Sequence, residues 1–193
     1  MSKHLSVASA ALCSCLALTA QAGPIPYPDV GSEASENSFV AAADGDISAY
    51  FFATGASYIS RIGLWINGVS TGIYGLQNNL SAYGDSIVLG TASAGDALMF
   101  ELQVQSTSSS WYSVAWFNSD SKNHTYATDF GGDSLIPMGT YVGFEDLPNL
   151  GDLDYNDHQF VFTNISTSVP EPWSITLFGL GLAALGAVRR RAS

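Results

Sequence analysis

The fold of this chain is decided at residues 64–69, LWINGV, where the dipeptide Asn67-Gly68 separates the apolar run Leu64-Trp65-Ile66 from Val69. Both central positions of a type I′ turn need a positive φ, which Asn and Gly tolerate, so the dipeptide predicts a tight β-hairpin. Residues 97–105, ALMFELQVQ, alternate with the period of a strand that has one face in a core. We expect Leu98, Phe100, Leu102 and Val104 to face the core and Met99, Glu101, Gln103 and Gln105 to lie mostly in water.

The remainder of the body has the same character. From Phe39 onward, short runs rich in Val, Ile, Tyr, Phe and Trp are interrupted by Gly, Asn, Asp and Ser, and no stretch sustains a helical apolar repeat. Short β-type runs separated by such turn residues predict an all-β fold, an antiparallel β-sandwich of the jelly-roll type. Strands are predicted at 47–54, 57–66, 69–75, 86–90, 97–105, 111–117, 124–129, 138–144 and 158–165.

The first 22 residues have the layout of a secretory signal peptide. A short polar start precedes an apolar stretch over residues 5–19, and Ala20-Gln21-Ala22 forms a small-x-small cleavage site. We therefore expect the mature chain to be exported and to start at Gly23.

Both cysteines, Cys13 and Cys15, lie inside this signal peptide. Once the segment is removed, the exported protein carries no thiol and no disulfide. The alternative is that residues 12–15, LCSC, form a lipid-attachment box, but the better cleavage site lies downstream.

The last 25 residues have three parts. The tripeptide Pro170-Glu171-Pro172 is followed by a mostly apolar segment, 173–188, and then by Arg189-Arg190-Arg191. A helix of this segment is about 24 Å long, short for a hydrocarbon core of about 30 Å, and the arginines mark its cytoplasmic side.

These three parts, over residues 169–193, resemble the PEP-CTERM sorting signal of Gram-negative bacteria. The resemblance implies that an exosortase, a membrane-embedded cysteine protease, recognises Pro170-Glu171-Pro172 and cuts nearby. The export machinery would deliver the chain, the C-terminal helix would hold it transiently in the inner membrane, and cleavage would release it to the cell surface or an exopolysaccharide (biofilm) matrix. A permanent single-span anchor is the alternative, although an anchor does not need Pro-Glu-Pro at that position.

Between the targeting segments there is room for one domain. We expect a flexible leader over 23–37, a β-sandwich over 38–165 and a short linker over 166–168. Residues 23–168 hold two basic residues, Arg61 and Lys122, against sixteen acids, a formal charge of −14. Nucleic acids and anionic membranes are therefore excluded as partners of the body, because both need clustered Lys and Arg, whereas divalent cations and neutral sugars fit.

Five carboxylates occur in thirteen positions from Glu145 to Asp157 without one Lys or Arg. Two like charges at about 4 Å repel by roughly 1 kcal/mol in water and roughly 4 kcal/mol at an effective dielectric of 20, so their proximity needs a reason. Calcium binds six to eight oxygen ligands in loops of this composition. We expect one or two Ca²⁺ ions to be held by a set drawn from Asp152, Asp154, Asn156, Asp157, Glu145 and Asp146. A solvated acidic loop is the alternative, but the acids are interleaved with apolar residues that favour burial.

A second resemblance covers roughly residues 47–162. Its motifs are Gly143-Phe144-Glu145-Asp146-Leu147, Gly151-Asp152, Asp154-Tyr155-Asn156-Asp157 and Phe160-Val161-Phe162, with Ser119, Asp120, Asn123 and His124 upstream. Together they are similar to the signature of the bacterial domain of unknown function 4114. The resemblance implies an extracellular β-sandwich module with important acidic residues, and gives Asp120, Asn123 and His124 a supporting role. A hard, oxygen-rich site has little use for imidazole, so His124 is expected to order the loop by bonding a carboxylate rather than to bind metal.

Three functions fit these features, and we favour a non-catalytic surface or matrix protein, stabilised by calcium, that binds exopolysaccharide or neighbouring surface proteins. The second is a carboxylate-dependent enzyme acting on polysaccharide, which needs two carboxylates about 5–10 Å apart and an aromatic cleft. Trp65, Trp111, Trp116 and Tyr112 could line such a cleft or serve as core, and no G-x-S-x-G, H-E-x-x-H or phosphate-loop motif occurs. The third is a structural module that needs no metal.

Overall fold

The computed structural model describes residues 25–168, which form two antiparallel β-sheets packed face to face. The strands are β1 (Ser38–Ala41), β2 (Gly45–Thr54), β3 (Ser60–Ile66), β4 (Val69–Gly75), β5 (Ser86–Ala92), β6 (Ala97–Val104), β7 (Ser109–Tyr112), β8 (Thr125–Phe130), β9 (Gly139–Phe144), β10 (His158–Thr163) and β11 (Ile165–Ser168). Two 3₁₀ turns lie at Ala115–Phe117 and Pro148–Leu150. The predicted antiparallel β-sandwich is thereby confirmed.

The predicted targeting segments lie outside the described residues. These are the signal peptide with its cleavage site at Ala20, Ala22 and Gly23, and the sorting segment with its helix at 173–188. Within residues 25–168, no helix has the length and hydrophobicity needed to cross a membrane.

The first sheet has the strand order β11-β1-β6-β3-β4, with β7 paired to part of β6, and the second has the order β5-β2-β10-β9-β8. The hairpin predicted at Asn67-Gly68 joins β3 to β4, and the two residues have φ values of 50° and 78°. Positive φ at both positions is the requirement of the type I′ turn, so this prediction is confirmed.

The main core lies between the sheets. Inward-facing aliphatic and aromatic side chains of both sheets fill it, and the rings of Phe100 and Phe162 stack across it with centroids 3.9 Å apart. The inward face of β6 is buried as predicted. The prediction for its other face was wrong at two positions, because Met99 and Glu101 are also buried. Side chains from β3, β4 and β7 cover that face, which the sequence of β6 alone cannot indicate.

Residues 25–37, predicted to be a flexible leader, instead pack on the sandwich. Tyr27 and Ala34 are buried against Tyr155, and the side-chain amide of Asn123 donates hydrogen bonds to the carbonyls of Ala34 and Ser35. The three prolines and the scarcity of apolar residues suggested a loose segment, whereas a few long-range contacts hold it.

The predicted linker at 166–168 is also different, because these residues belong to β11 and pair with β1. Four residues of each strand are in register, from Ser38 opposite Ser168 to Ala41 opposite Ile165. Neither strand was predicted as a separate element, since short edge strands with Ser and Thr carry almost no periodic signal.

A glycine in β9 sets how closely the loop after this strand can approach the sheet. A Cβ on Gly143 would overlap the carbonyl oxygen of Tyr155, a residue of the acidic segment. The backbone of that segment therefore rests directly on β9.

We predict that Gly143→Ala lowers the free energy of unfolding by about 1–3 kcal/mol, because the loop must shift to admit the methyl group. Gly131→Ala is the matched control, since nothing lies within 4 Å of its Cβ position. Urea unfolding of the two variants beside the unmodified chain measures the difference, and equal stability of the two variants would contradict the close approach.

Candidate metal centre

The acidic segment, residues 145–157, is the loop between two hydrogen-bonded strands, β9 and β10. Phe144 lies opposite His158 in that pairing, so the loop leaves and returns at the same end of the second sheet. Five of its residues have positive φ, between 54° and 74°: Asn149, Leu150, Gly151, Leu153 and Tyr155. This repeated left-handed backbone coils the loop tightly, so that its later carboxylates turn back toward its first one.

Three carboxylates meet in the coil. Glu145, Asp152 and Asp154 each place an oxygen within 4.8 Å of the others. Glu145 is buried, Asp154 is half-buried and Asp152 is exposed, so the cluster runs from the core edge to the solvent.

Glu145 is the fixed point of this triad. Its Oε1 accepts hydrogen bonds from the backbone N–H groups of Asp154 (2.8 Å) and Tyr155 (2.7 Å). Its Oε2 is buried and has no hydrogen-bond partner among the residues that the structure describes. A buried carboxylate oxygen without a partner costs free energy, so this atom is suited to an additional ligand.

Burial and mutual repulsion raise the pKa values of several carboxylates in the loop. Burial, together with the charges of Asp157 and Asp152, raises the pKa of Glu145 to about 8, although the two backbone N–H hydrogen bonds act to lower it. Burial, with the neighbouring carboxylates, also raises the pKa of Asp154 and of Asp157 above the usual range. Without a cation, these raised pKa values favour protonation of part of the cluster near neutral pH.

Asp157 and Asp146 form a neighbouring pair rather than part of the triad. The Oδ2 atom of Asp157 accepts a hydrogen bond from the backbone N–H of Asp146 (3.0 Å), and Oδ2 of Asp146 bonds Nε2 of His158 (3.0 Å). Both aspartates line a surface cleft of about 380 Å³, together with Leu147 and residues 55–58.

Asn156, also predicted as a ligand, is turned toward Asp154. Its backbone N–H donates to Oδ1 of Asp154, and its side-chain NH₂ donates to Oδ2 of the same carboxylate. Of the six predicted ligand residues, the structure thus brings three into one cluster, and Asn156 holds one of the three in place.

The predicted supporting residues lie beneath the loop. His124 bonds the carboxylate of Asp120 through Nε2 (3.1 Å) and donates from Nδ1 to the carbonyl of Glu145 (3.0 Å). Asp120 in turn accepts the backbone N–H of Asn149 (2.7 Å). Both ring nitrogens of His124 therefore contact protein oxygens, and the role of this residue in ordering the loop stays a prediction.

Sequence reasoning missed two aromatic residues that support the loop. The ring of Trp111 stacks on His124 with centroids 4.0 Å apart, and its Nε1 donates to the carbonyl of Asp146 (2.8 Å). The hydroxyl of Tyr155 donates to the carbonyl of Asn123. Each of these two hydrogen bonds joins residues that are more than thirty positions apart in the sequence. Only the placement of Tyr155 among the acids indicated that an aromatic would be buried there.

A comparison with known protein families found two matches. The family model described as a domain of unknown function (DUF4114) matches residues 64–164, which is more than half of the chain. The model of the PEP-CTERM protein-sorting motif matches residues 168–191. The first match includes the whole acidic segment and the supporting residues, and the two matches confirm both resemblances noted in the sequence. Searches of curated proteins and of solved structures found no match.

We predict that in the absence of divalent cations the chain loses stability as pH rises from about 5 to about 8. The pKa of Glu145 is higher in the folded state than the ordinary value of 4.5, so the folded state binds the extra proton. Its stabilising contribution is complete below the unfolded pKa and disappears as pH rises through the folded pKa.

Glu145→Gln removes this titration and should flatten the decline. Urea unfolding of the detergent-solubilised full chain in EDTA, across that pH range, measures the slope. Glu36→Gln, at an exposed position, is the control for removing one negative charge. If Glu145→Gln and the unmodified chain decline equally, the carboxyl of Glu145 does not titrate in this range.

Proposed function

The chain belongs to the DUF4114 family and carries a PEP-CTERM protein-sorting motif, and from this premise we propose that it is a surface protein whose β-sandwich is locked by a bound calcium ion. The motif implies export, membrane anchoring through the C terminus and processing by an exosortase. The calcium site and the role outside the cell are our proposal.

The observation that carries the proposal is the unpartnered Oε2 of Glu145. It lies in the same cluster as the carboxylates of Asp152 and Asp154, and burial opposes its ionisation. A divalent cation there would give Oε2 its partner and would replace repulsion among three carboxylates by attraction to one ion. Asp152 is on the exposed side, where water can complete the coordination.

The donor set favours calcium over other common ions. All three groups of the triad offer oxygen, whereas zinc prefers nitrogen and sulfur ligands, and the nearby His124 is engaged with Asp120 and Glu145. Magnesium needs near-octahedral geometry and keeps several waters, while calcium accepts irregular sets of six to eight oxygens. An irregular coil with one buried and two more accessible carboxylates suits calcium better.

Locking the loop would secure several parts of the sandwich together. The carbonyl of Glu145 accepts from His124, which stacks on Trp111 of β7, and Tyr155 reaches the N-terminal segment through the backbone N–H of Ala34. An ion that fixes Glu145 would therefore order the N-terminal segment and contacts to both sheets. Extracellular calcium modules commonly bind with dissociation constants of about 10⁻⁴–10⁻³ M, so such a site would fill outside the cell.

A carboxylate-dependent enzyme is the second candidate, favoured by the cleft that Asp146 and Asp157 line. The raised pKa of Asp157 would suit a general acid. However, Oδ2 of each of these two carboxylates already bonds a protein group, in a shallow opening beside a loop, which fits a structural pair better. We expect no hydrolysis of polysaccharides, and activity that Asp157→Asn abolishes would establish the enzyme instead.

We predict that Ca²⁺ raises the thermal midpoint of the chelated full chain, whereas equal Mg²⁺ has a much smaller effect. A ligand at about a hundred times its dissociation constant adds about 2.7 kcal/mol, which is several degrees in a domain of this size. Differential scanning calorimetry in detergent, with EDTA and then with millimolar CaCl₂ or MgCl₂, measures the shift.

Asp152→Asn and Asp154→Asn should each remove most of the calcium-dependent rise. Asp129→Asn, which neutralises an exposed carboxylate in β8, should keep it and thereby control for the lower net charge. The absence of a shift at millimolar calcium, or an equal loss in Asp129→Asn, would refute the site.

A further inference from the structure

A second unusual surface lies on the outer face of the first sheet, the face directed away from the core. Five aromatic side chains gather there, and we call them the aromatic platform: Trp65, Tyr74, Tyr112, Trp116 and Phe117. Phe117 connects the group, with ring centroids 6.0 Å from Trp65, 5.1 Å from Tyr112 and 4.8 Å from Trp116. Three of the five are residues that the sequence left open between core and ligand cleft.

Strand pairing builds the platform. Tyr74 of β4, Gly63 of β3, Glu101 of β6 and Tyr112 of β7 stand in one row across four strands. A Cβ on Gly63 would overlap the ring of Tyr74, so the glycine lets this ring lie flat across the sheet.

A buried carboxylate fixes the rings. Glu101 is only 4% exposed, and its Oε2 accepts hydrogen bonds from Nε1 of Trp65 (2.7 Å) and from the hydroxyl of Tyr74 (2.8 Å). Its Oε1 accepts the hydroxyl of Ser110 (2.7 Å). Burying a carboxylate on an outer face is a weak way to gain stability, but it sets ring orientations in advance of binding.

The platform combines exposed rings with polar groups. Trp116 is 75% exposed and Phe117 is 39% exposed, although large aromatic side chains usually bury most of their surface. On the other side of Glu101 from Trp65, β6 and β7 carry a shallow pocket of about 290 Å³, lined only by amide and hydroxyl side chains: Gln103, Gln105, Ser108, Ser109 and Ser110. An apolar partner would leave these polar groups without hydrogen bonds, so the surface suits a ligand with both apolar and hydroxyl-rich faces.

Charge narrows the ligand further. The Glu101 carboxylate is occupied by three donors, and the guanidinium of Arg61 lies 4.8 Å above the ring of Tyr74 and donates from Nε to Gln103. Residues 23–168 carry a formal charge of −14, which repels polyanions. A neutral sugar chain fits all of these conditions, since its C–H faces pack on aromatic rings and its hydroxyls exchange hydrogen bonds with Gln and Ser.

We propose that the aromatic platform is a binding site for a neutral polysaccharide, with Trp116 as the exposed stacking residue and the Gln103–Ser110 pocket as the polar part. The inference rests on the proposed placement of the protein outside the cell, but it does not need the calcium site. The ligand would lie on the first sheet, whereas the acidic loop closes one end of the second.

The test titrates the detergent-solubilised full chain with soluble neutral polysaccharides, a β-glucan, a mannan and a galactan, and with the anionic polymer polygalacturonate. Tryptophan emission and affinity electrophoresis report binding. We expect at least one neutral polymer to bind, Trp116→Ala to weaken its binding about tenfold or more, and Trp116→Phe to restore part of it. Met138→Ala removes an equally exposed apolar side chain elsewhere and should leave binding unchanged.

Each titration is repeated in Ca²⁺ and in EDTA, with the thermal midpoint recorded, so that loss of the platform and failure of the calcium site are separate results. Binding to none of the neutral polymers, binding to polygalacturonate alone, or equal losses in Trp116→Ala and Met138→Ala would overturn the proposal. So would a concentration-dependent dimer in sedimentation that Trp116→Ala dissociates, since a second copy would then cover the platform.

Discussion

The constraint on which this structure depends is the burial of one carboxylate where β9 ends. Glu145 Oε1 accepts two backbone N–H groups of the loop that follows, so the loop must coil back over the residue that begins it. That coil explains the run of positive φ values, the glycine on which Tyr155 rests and the meeting of Asp152 and Asp154. The loop is thus arranged around the two carboxylate oxygens of Glu145, of which Oε1 accepts protein hydrogen bonds and Oε2 accepts none from the described residues.

The aromatic platform and the acidic loop each contain a buried glutamate, and the two glutamates differ in their hydrogen bonds. Glu101 accepts three hydrogen bonds, one from an indole and two from hydroxyls, so that both of its carboxylate oxygens have partners within the protein. Glu145 receives two, both on the same oxygen, and burial raises its pKa. The first arrangement holds the rings of Trp65 and Tyr74 in place on a surface suited to uncharged ligands. The second leaves Oε2 of Glu145 without a hydrogen-bond partner among the described residues, and a cation could bind this atom.

The sequence predicted the larger features because these depend on local chemistry. Asn67-Gly68 specifies its own turn, and alternation in β6 specifies its core face. The acidic cluster was also visible, since five carboxylates in thirteen positions need neither alignment nor structure to be noticed. What remained hidden depends on contacts between distant segments: the packing of Tyr27 on Tyr155, the pairing of β1 with β11, and the burial of Glu101 by strands on both sides.

The position of β11 has a mechanical consequence. This strand is at the edge of the first sheet, is paired on one side to four residues of β1, and ends at Ser168, where the match to the sorting motif begins. Tension on a tethered tail therefore acts first on the Ser168–Ser38 pair, and detachment of β11 would remove from the core only the half-buried side chain of Ile165. The edge strand would therefore detach first, while the acidic loop and the aromatic platform, which lie on other strands, would keep their structure under tension.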